Sequence, residues 1–275
     1  MKIFLSLLIF LIAVIPISAQ HSEWGQPKVI SFPRLDLLSL DNQGFIFIAD
    51  LEGNLYQYNK EGLRVNNFSP HRQGSLTQLE AAWTVNIFTF SADLQEYRVL
   101  DRFINPVAEN RIPMQFITLA KAATLGNNSI IWVYDEADLN IKQLDYRQNR
   151  VIQSQPLNLI LDRSSLDVKD IREYQNMLFL NIEDEGVYIL DNQANFLQQI
   201  PKNLNQKLSF WKNSLLSIEE GNLILTNFQN SKQDSFSIPE GITADQVSIN
   251  AYAVIFYGKE KVWIYPKGES PLSEK

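Results

Sequence analysis

The chain has 275 residues, with 24 Lys+Arg against 31 Asp+Glu, a formal charge of −7, 45% hydrophobic residues, two His and no Cys. This describes one folded, acidic domain without disulfides, thiolate nucleophiles, iron–sulfur clusters or Cys-based zinc, and His21 and His71 alone leave almost no ligands for a multi-histidine metal centre. Basic residues form no run beyond pairs such as His71-Arg72, so the clustered positive charge that nucleic-acid binding depends on is missing.

In chain order, Met1 and Lys2 precede an apolar stretch from Ile3 to Ile17 broken only by Ser6, followed by Ser18 and Ala19. A positive start, an apolar middle and a small residue at the cut read as a signal peptide over 1–19, because a membrane-spanning helix wants about 20 apolar residues. Residues 20–275 are then expected as a single exported domain, periplasmic or extracellular, that does not span the membrane after cleavage.

Val29-Ile30-Ser31-Phe32-Pro33 comes next and is similar to three later segments, Arg111-Ile112-Pro113, Gln199-Ile200-Pro201 and Ser237-Ile238-Pro239. Those three sit within a repeat. Its first marker, an apolar residue, two variable ones, Tyr or Leu, then Asp or Asn, spans Leu55 to Asn59, Tyr97 to Asp101, Ile141 to Asp145 and Val187 to Asp191, with weaker copies at Leu223 to Asn227 and Val262 to Pro266. Successive copies lie 36 to 46 residues apart. Before each stands an Asn at a polar turn (Asn42, Asn86, Asn128, Asn176, Asn213, Asn250), and between the two lies a β-branched and aromatic run such as Phe45 to Ala49, Ile130 to Tyr134 or Met177 to Ile182. A proline follows each of the first five copies, at Pro70, Pro113, Pro156, Pro201 and Pro239, but the sixth unit ends without that strand and proline. Units of about 40 residues with four short strands predict a six-bladed β-propeller of four-stranded antiparallel blades, its ring closed by an N-terminal strand over 28–32 in the last blade. Trp83, Trp132, Trp211 and Trp263 fall in or beside these strands, where large aromatics are expected to fill the space between blades.

The first unit carries a family resemblance. Asp41-Asn42-Gln43-Gly44-Phe45-Ile46-Phe47-Ile48-Ala49-Asp50, followed by Gly53-Asn54-Leu55-Tyr56-Gln57-Tyr58-Asn59-Lys60-Glu61-Gly62, resembles a blade of the six-bladed NHL or TolB-like propellers. The Ala19-Gln20 junction ahead of such a propeller is similar to exported proteins of Bacteroidota. The resemblance implies an architecture and no particular activity.

Motifs for dinucleotide binding, phosphate loops, the Gly-x-Ser-x-Gly elbow and His-Glu-x-x-His are missing, and no catalytic residue is expected. Charge is more informative. Strand direction alternates within a blade, so second-to-third strand turns and interblade connections share one face. Those turns hold Asp50, Glu52, Asp93, Asp135, Glu136, Asp138, Glu183, Asp184, Glu185, Glu219, Glu220 and Glu260, with only Lys259 and Lys261 as counter-charges in the same turns. The opposite face carries Lys60, Arg102, Arg147, Arg150, Lys212, Lys232 and Lys267. The disc should therefore be polarised, with an acidic binding face for a protein or peptide of basic character. The longest connection, 155–170, adds an apolar group of Leu157, Leu159, Ile160 and Leu161, either tucked under the blade or exposed for docking. The leading expectation is a non-enzymatic interaction scaffold of the cell envelope without a cofactor. The alternative is a calcium-assisted lactonase or hydrolase whose carboxylates converge at the channel mouth.

Overall fold

The computed structural model describes residues 24–81, 86–162 and 165–274. The signal-like stretch 1–19, His21, Trp83 and Arg163 lie outside the described residues.

Strand β1 (Lys28–Ser31) is followed by six units. The first blade holds β2 (Leu35–Leu40), β3 (Ile46–Asp50), β4 (Leu55–Tyr58) and β5 (Arg64–Phe68), and the second β6 (Gln78–Glu80), β7 (Ile87–Ser91), β8 (Glu96–Leu100) and β9 (Pro106–Arg111). The third holds β10 (Ala120–Leu125), β11 (Ile130–Asp135), β12 (Asn140–Asp145) and β13 (Arg150–Pro156), followed by the single-turn helix α1 (Leu157–Ile160). The fourth holds β14 (Val168–Tyr174), β15 (Met177–Ile182), β16 (Gly186–Leu190) and β17 (Phe196–Ile200). The fifth holds β18 (Phe210–Trp211), β19 (Ser214–Glu219), β20 (Asn222–Asn227) and β21 (Gln233–Ser237). The sixth takes β22 (Gln246–Ile249), β23 (Ala253–Tyr257) and β24 (Lys261–Pro266) from the C-terminal end and β1 from the N-terminal end. Six four-stranded antiparallel sheets in a ring make the expected propeller, and β1 pairs β24 from Lys28↔Ile264 to Ser31↔Lys261, as the Ile-Ser-Phe-Pro signal at 30–33 predicts.

The repeat markers have a physical meaning. The polar residue ending each of the first five first-marker copies closes the third-to-fourth strand turn by accepting backbone N–H groups. Asn59 Oδ1 takes them from Glu61 and Leu63, Asp101 Oδ1 from Phe103 and Asn105, Asp145 Oδ1 from Arg147 and Gln148, Asp191 Oδ1 from Gln193 and Asn195, and Asn227 Oδ1 from Gln229 and Asn230. Asp and Asn suit this place because their short acceptor reaches the backbone two to four residues on. Middle strands such as β3, β7, β15 and β16 are almost wholly buried on both faces, each packed between neighbouring blades. The core divides accordingly into interblade clusters, for example Phe88, Tyr97, Val99, Ile131 and Val133 between blades 2 and 3. Trp132 and Trp263 are buried in such clusters, as is Trp24, which lies edge-on to Phe256 and Tyr265 and donates its Nε1 hydrogen to Ser237 O at 2.8 Å.

Candidate functional site

Interblade connections and second-to-third strand turns do share one face, because backbone bonds stitch them together: Gly74 N to Glu52 O at 2.9 Å, Ile112 N to Gln95 O at 2.8 Å, Glu136 N to Leu119 O at 2.9 Å and Glu183 N to Asp167 O at 2.9 Å. Two of the rim carboxylates lie beneath that face. Asp50 is buried, accepting from Glu52 N, Asn54 N and Nδ2, and Tyr56 OH. Asp135 is fully buried, accepting from Thr118 N at 2.8 Å, Leu119 N at 2.9 Å and Lys142 Nζ at 2.7 Å. Burial pushes the Asp135 carboxyl up, but Lys142 and the two N–H groups outweigh it and hold the group below the usual carboxylate range. These two acids brace turns.

Half of the other acids have counter-charges, and these come from outside the turns. Glu52 pairs with Arg34 at 2.6 Å, Glu136 with Lys121 at 3.3 Å, Asp138 with Lys142 at 2.6 Å, Glu183 with Lys169 at 3.2 Å and Glu219 with Lys202 at 2.5 Å. Glu185 accepts from Tyr188 OH at 2.6 Å and Asp93 from Ser75 Oγ at 3.3 Å. The count of Lys259 and Lys261 alone missed these cations because interblade segments and inner strands deliver all but Lys142, which stands in the third strand β12. Among the described residues, Asp93, Asp184, Glu220 and Glu260 make no ion pair, and Asp184 and Glu220 are exposed in the second-to-third strand turns of blades 4 and 5.

Over blade 3 the face turns apolar. Met114 and Leu159 are 72% and 73% exposed, and Phe116 and Leu119 about half exposed. They flank the turn after β11: Lys142 Nζ bonds both Phe116 O and Asp138, while Leu157 N bonds Leu139 O. The 155–170 connection is divided, since Leu157 and Leu161 are buried under the blade and Leu159 points out.

The channel holds a second constellation, drawn from residues far apart in the chain. Innermost strands carry Asp36, Gln78, Glu80, Asp170 and Arg172, and Lys207 reaches in just before β18. Bonds cross the axis: Gln78 Nε2 to Ile171 O at 2.8 Å and Lys207 Nζ to Thr77 O at 2.8 Å, with Asp170 3.5 Å from Lys207. They divide the channel into two cavities. One of about 390 Å³ opens on the acidic face between Asp36, Asp170, Glu183 and Gln246, and one of about 240 Å³ lies toward the opposite face beside Asn42, Phe210, Trp211 and Asn250. Burial pushes Asp36 up, and it drives the carboxyl of Glu80, 3.7 Å from Arg172, to about 7. One oxygen of each, Asp36 Oδ2 and Glu80 Oε1, is buried without a hydrogen-bond partner. The nearest signal in the sequence was polar residues interrupting inner strands, such as Gln78, Glu80 and Arg172. Nothing in spacing shows that such residues from different blades meet.

Among the described residues, no three His, Asp or Glu side chains stand close enough together to hold a metal ion, and no helix is long and apolar enough to cross a membrane. No family model and no curated protein sequence matches the chain. The fold is similar to the WD40 domain of Neurospora crassa Pan2, with a TM-score of 0.63 at 12% identity over 88% of this chain and 95% of that one. It is also similar to the β-propeller domain of Myceliophteria thermophila Cps50 (Swd1), at 0.59 and 11% over 88% and 99%. A third neighbour is PorZ, a bacterial surface component of the type-IX secretion system of Porphyromonas gingivalis, at 0.54 and 12% over 82% of this chain and 30% of that one. These are likenesses of fold alone, shared with WD40-type and PorZ propellers.

Proposed function

We propose that the protein is an exported, non-enzymatic interaction module of the cell envelope, whose turn face over blades 3 to 5 receives a protein or peptide partner with basic and apolar side chains. The observation that carries this reading is the pairing of Met114 and Leu159, standing almost free in water, with the unpaired carboxylates of Asp184 and Glu220 on the same face. Apolar side chains grouped at a polar rim are the usual mark of a protein contact, and a rigid disc presents them without ordering cost. Export rests on residues 1–19, and one fold neighbour, PorZ, is itself a bacterial surface component. The test is chemical crosslinking in native envelope extracts with wild type, Met114→Glu/Leu159→Glu and Asp184→Lys/Glu220→Lys. A partner crosslinked to this face by wild type, and lost from both variants, is expected; identical crosslinked sets for all three would overturn the reading.

A further inference from the structure

The 240 Å³ cavity on the opposite face has a chemistry of its own. Its walls are largely apolar, with Leu208, Phe210, Trp211 and Ile249 among them, and a cation, Arg172, at its floor. The Arg172 side chain is only 13% exposed and makes no hydrogen bond among the described residues, its one ion partner, Glu80 Oε1, standing at 3.7 Å. A guanidinium carries five N–H donors, and leaving them unused in a buried place is costly. A second donor in the same wall, Trp211 Nε1, is likewise buried without a partner. The surroundings are cationic too. Lys212 and Lys267 stand 5.8 Å and 5.3 Å from the Trp211 ring, and burial with the neighbouring Lys212 charge pushes Lys267 below its ordinary value. The carboxylate in the wall, Asp41, is already engaged by Gln43 N and Phe45 N.

We propose that this cavity binds a small organic monocarboxylate, its carboxylate on the unused donors of Arg172 and its apolar or aromatic body against Leu208, Phe210, Trp211 and Ile249. The size fits, since an apolar cavity of about 150 Å³ already accepts a benzene ring. A planar bidentate fork on a carboxylate is the match that a lysine does not reproduce. The site lies away from the proposed partner face and does not depend on it.

The test is calorimetric titration and tryptophan emission on the protein from residue 20 onward, with hexanoate, benzoate and 3-phenylpropanoate as probes, and 3-phenylpropanamide and inorganic phosphate as controls. Saturable binding of at least one carboxylate is expected, with the amide at least about tenfold weaker and phosphate not competing. Arg172→Lys, which keeps the charge, should weaken the carboxylate at least about tenfold, and Trp211→Phe, which keeps a ring and removes the N–H, by a few-fold. Asp184→Lys should bind like wild type. No saturation by any probe at millimolar concentration, equal binding of acid and amide, or phosphate displacing the carboxylate would overturn the proposal. Should Arg172→Lys fail to fold, the acid–amide comparison and Trp211→Phe decide it.

Discussion

Single side chains define both the turns and the channel. Asp191 Oδ1 accepts from Gln193 N and Asn195 N, each at 2.8 Å, and Oδ2 from Asn195 Nδ2 at 2.9 Å, so one carboxylate closes a whole hairpin. Asp191→Ala should lower stability by about 1–2 kcal/mol and Asp191→Asn by clearly less, read from urea unfolding; equal losses would mean that charge, not hydrogen-bond acceptance, is what the turn needs. This demand made the repeat legible, because only Asp or Asn serves at 59, 101, 145, 191 and 227. Glu80 was illegible for the opposite reason: its importance comes from Arg172, Asp170 and Thr124 on other blades, far away in sequence. Its carboxyl shifts from 4.5 in the unfolded chain to about 7 in the fold, chiefly by burial. The folded state then holds a proton that the unfolded state has released, so stability is full below about 4.5 and falls as pH rises through about 7, by up to roughly 3 kcal/mol. Glu80→Gln cannot ionise. Compared by denaturant unfolding at pH 5 and pH 8, it should match wild type at the lower pH and exceed it at the higher, and parallel pH profiles for the two proteins would sink the argument.

At the scale of strands, the sequence was clearest where burial is greatest. Second strands carry apolar residues on both faces, so the run Met177 to Ile182 coincides with β15, and Ile130 to Tyr134 falls one residue short of the end of β11. Inner strands were not marked, because they line the channel with polar side chains and break register. The pairing of β2, β10 and β14 with their neighbours skips one residue each, at Asp36, Lys121 and Lys169, and such bulges hide the two-residue period. Outer strands do the same: β5, β9, β13 and β17 skip Val65, Val107, Ile152 and Leu197, and these apolar residues stand half exposed on the free edge. A bulge twists an edge away from further pairing, which explains how an unpaired strand tolerates them. Gly53 in the resemblance-bearing blade is fixed by close approach, since its φ is +80° and a Cβ would fall 2.4 Å from Gly74 O. The element with most depending on it is β1. Removing residues 20–33 takes away the outer strand of the sixth blade, the Trp24 contacts and buried Ile30 and Phe32, and leaves β24 with a bare edge. The truncated protein should lose its cooperative thermal transition or melt far lower, and an unchanged Tm would mean that the ring does not need this closure.

For the whole molecule, charge and apolar surface are separable levers on the proposed partner. The formal charge is −7, yet ion pairs with Arg34, Lys121, Lys142, Lys169 and Lys202 quench much of the acidic face, so the long-range field over blades 4 and 5 comes disproportionately from Asp184 and Glu220. Exposed charges act at a distance and are screened by salt over about 8 Å at physiological ionic strength, so they should govern how fast a basic partner arrives. Met114 and Leu159 lie on blade 3 and act only on contact, so they should govern how long it stays. Once a partner is in hand, stopped-flow or surface kinetics at low and moderate salt can read the two apart. Asp184→Lys/Glu220→Lys should slow association and flatten its salt dependence while leaving dissociation nearly unchanged. Met114→Glu/Leu159→Glu should speed dissociation by about tenfold or more and leave the association salt slope no shallower than in wild type, because it adds acid while removing contact area. A charge-reversal variant that changes only dissociation would mean that these carboxylates act by direct contact with the partner and not by long-range attraction.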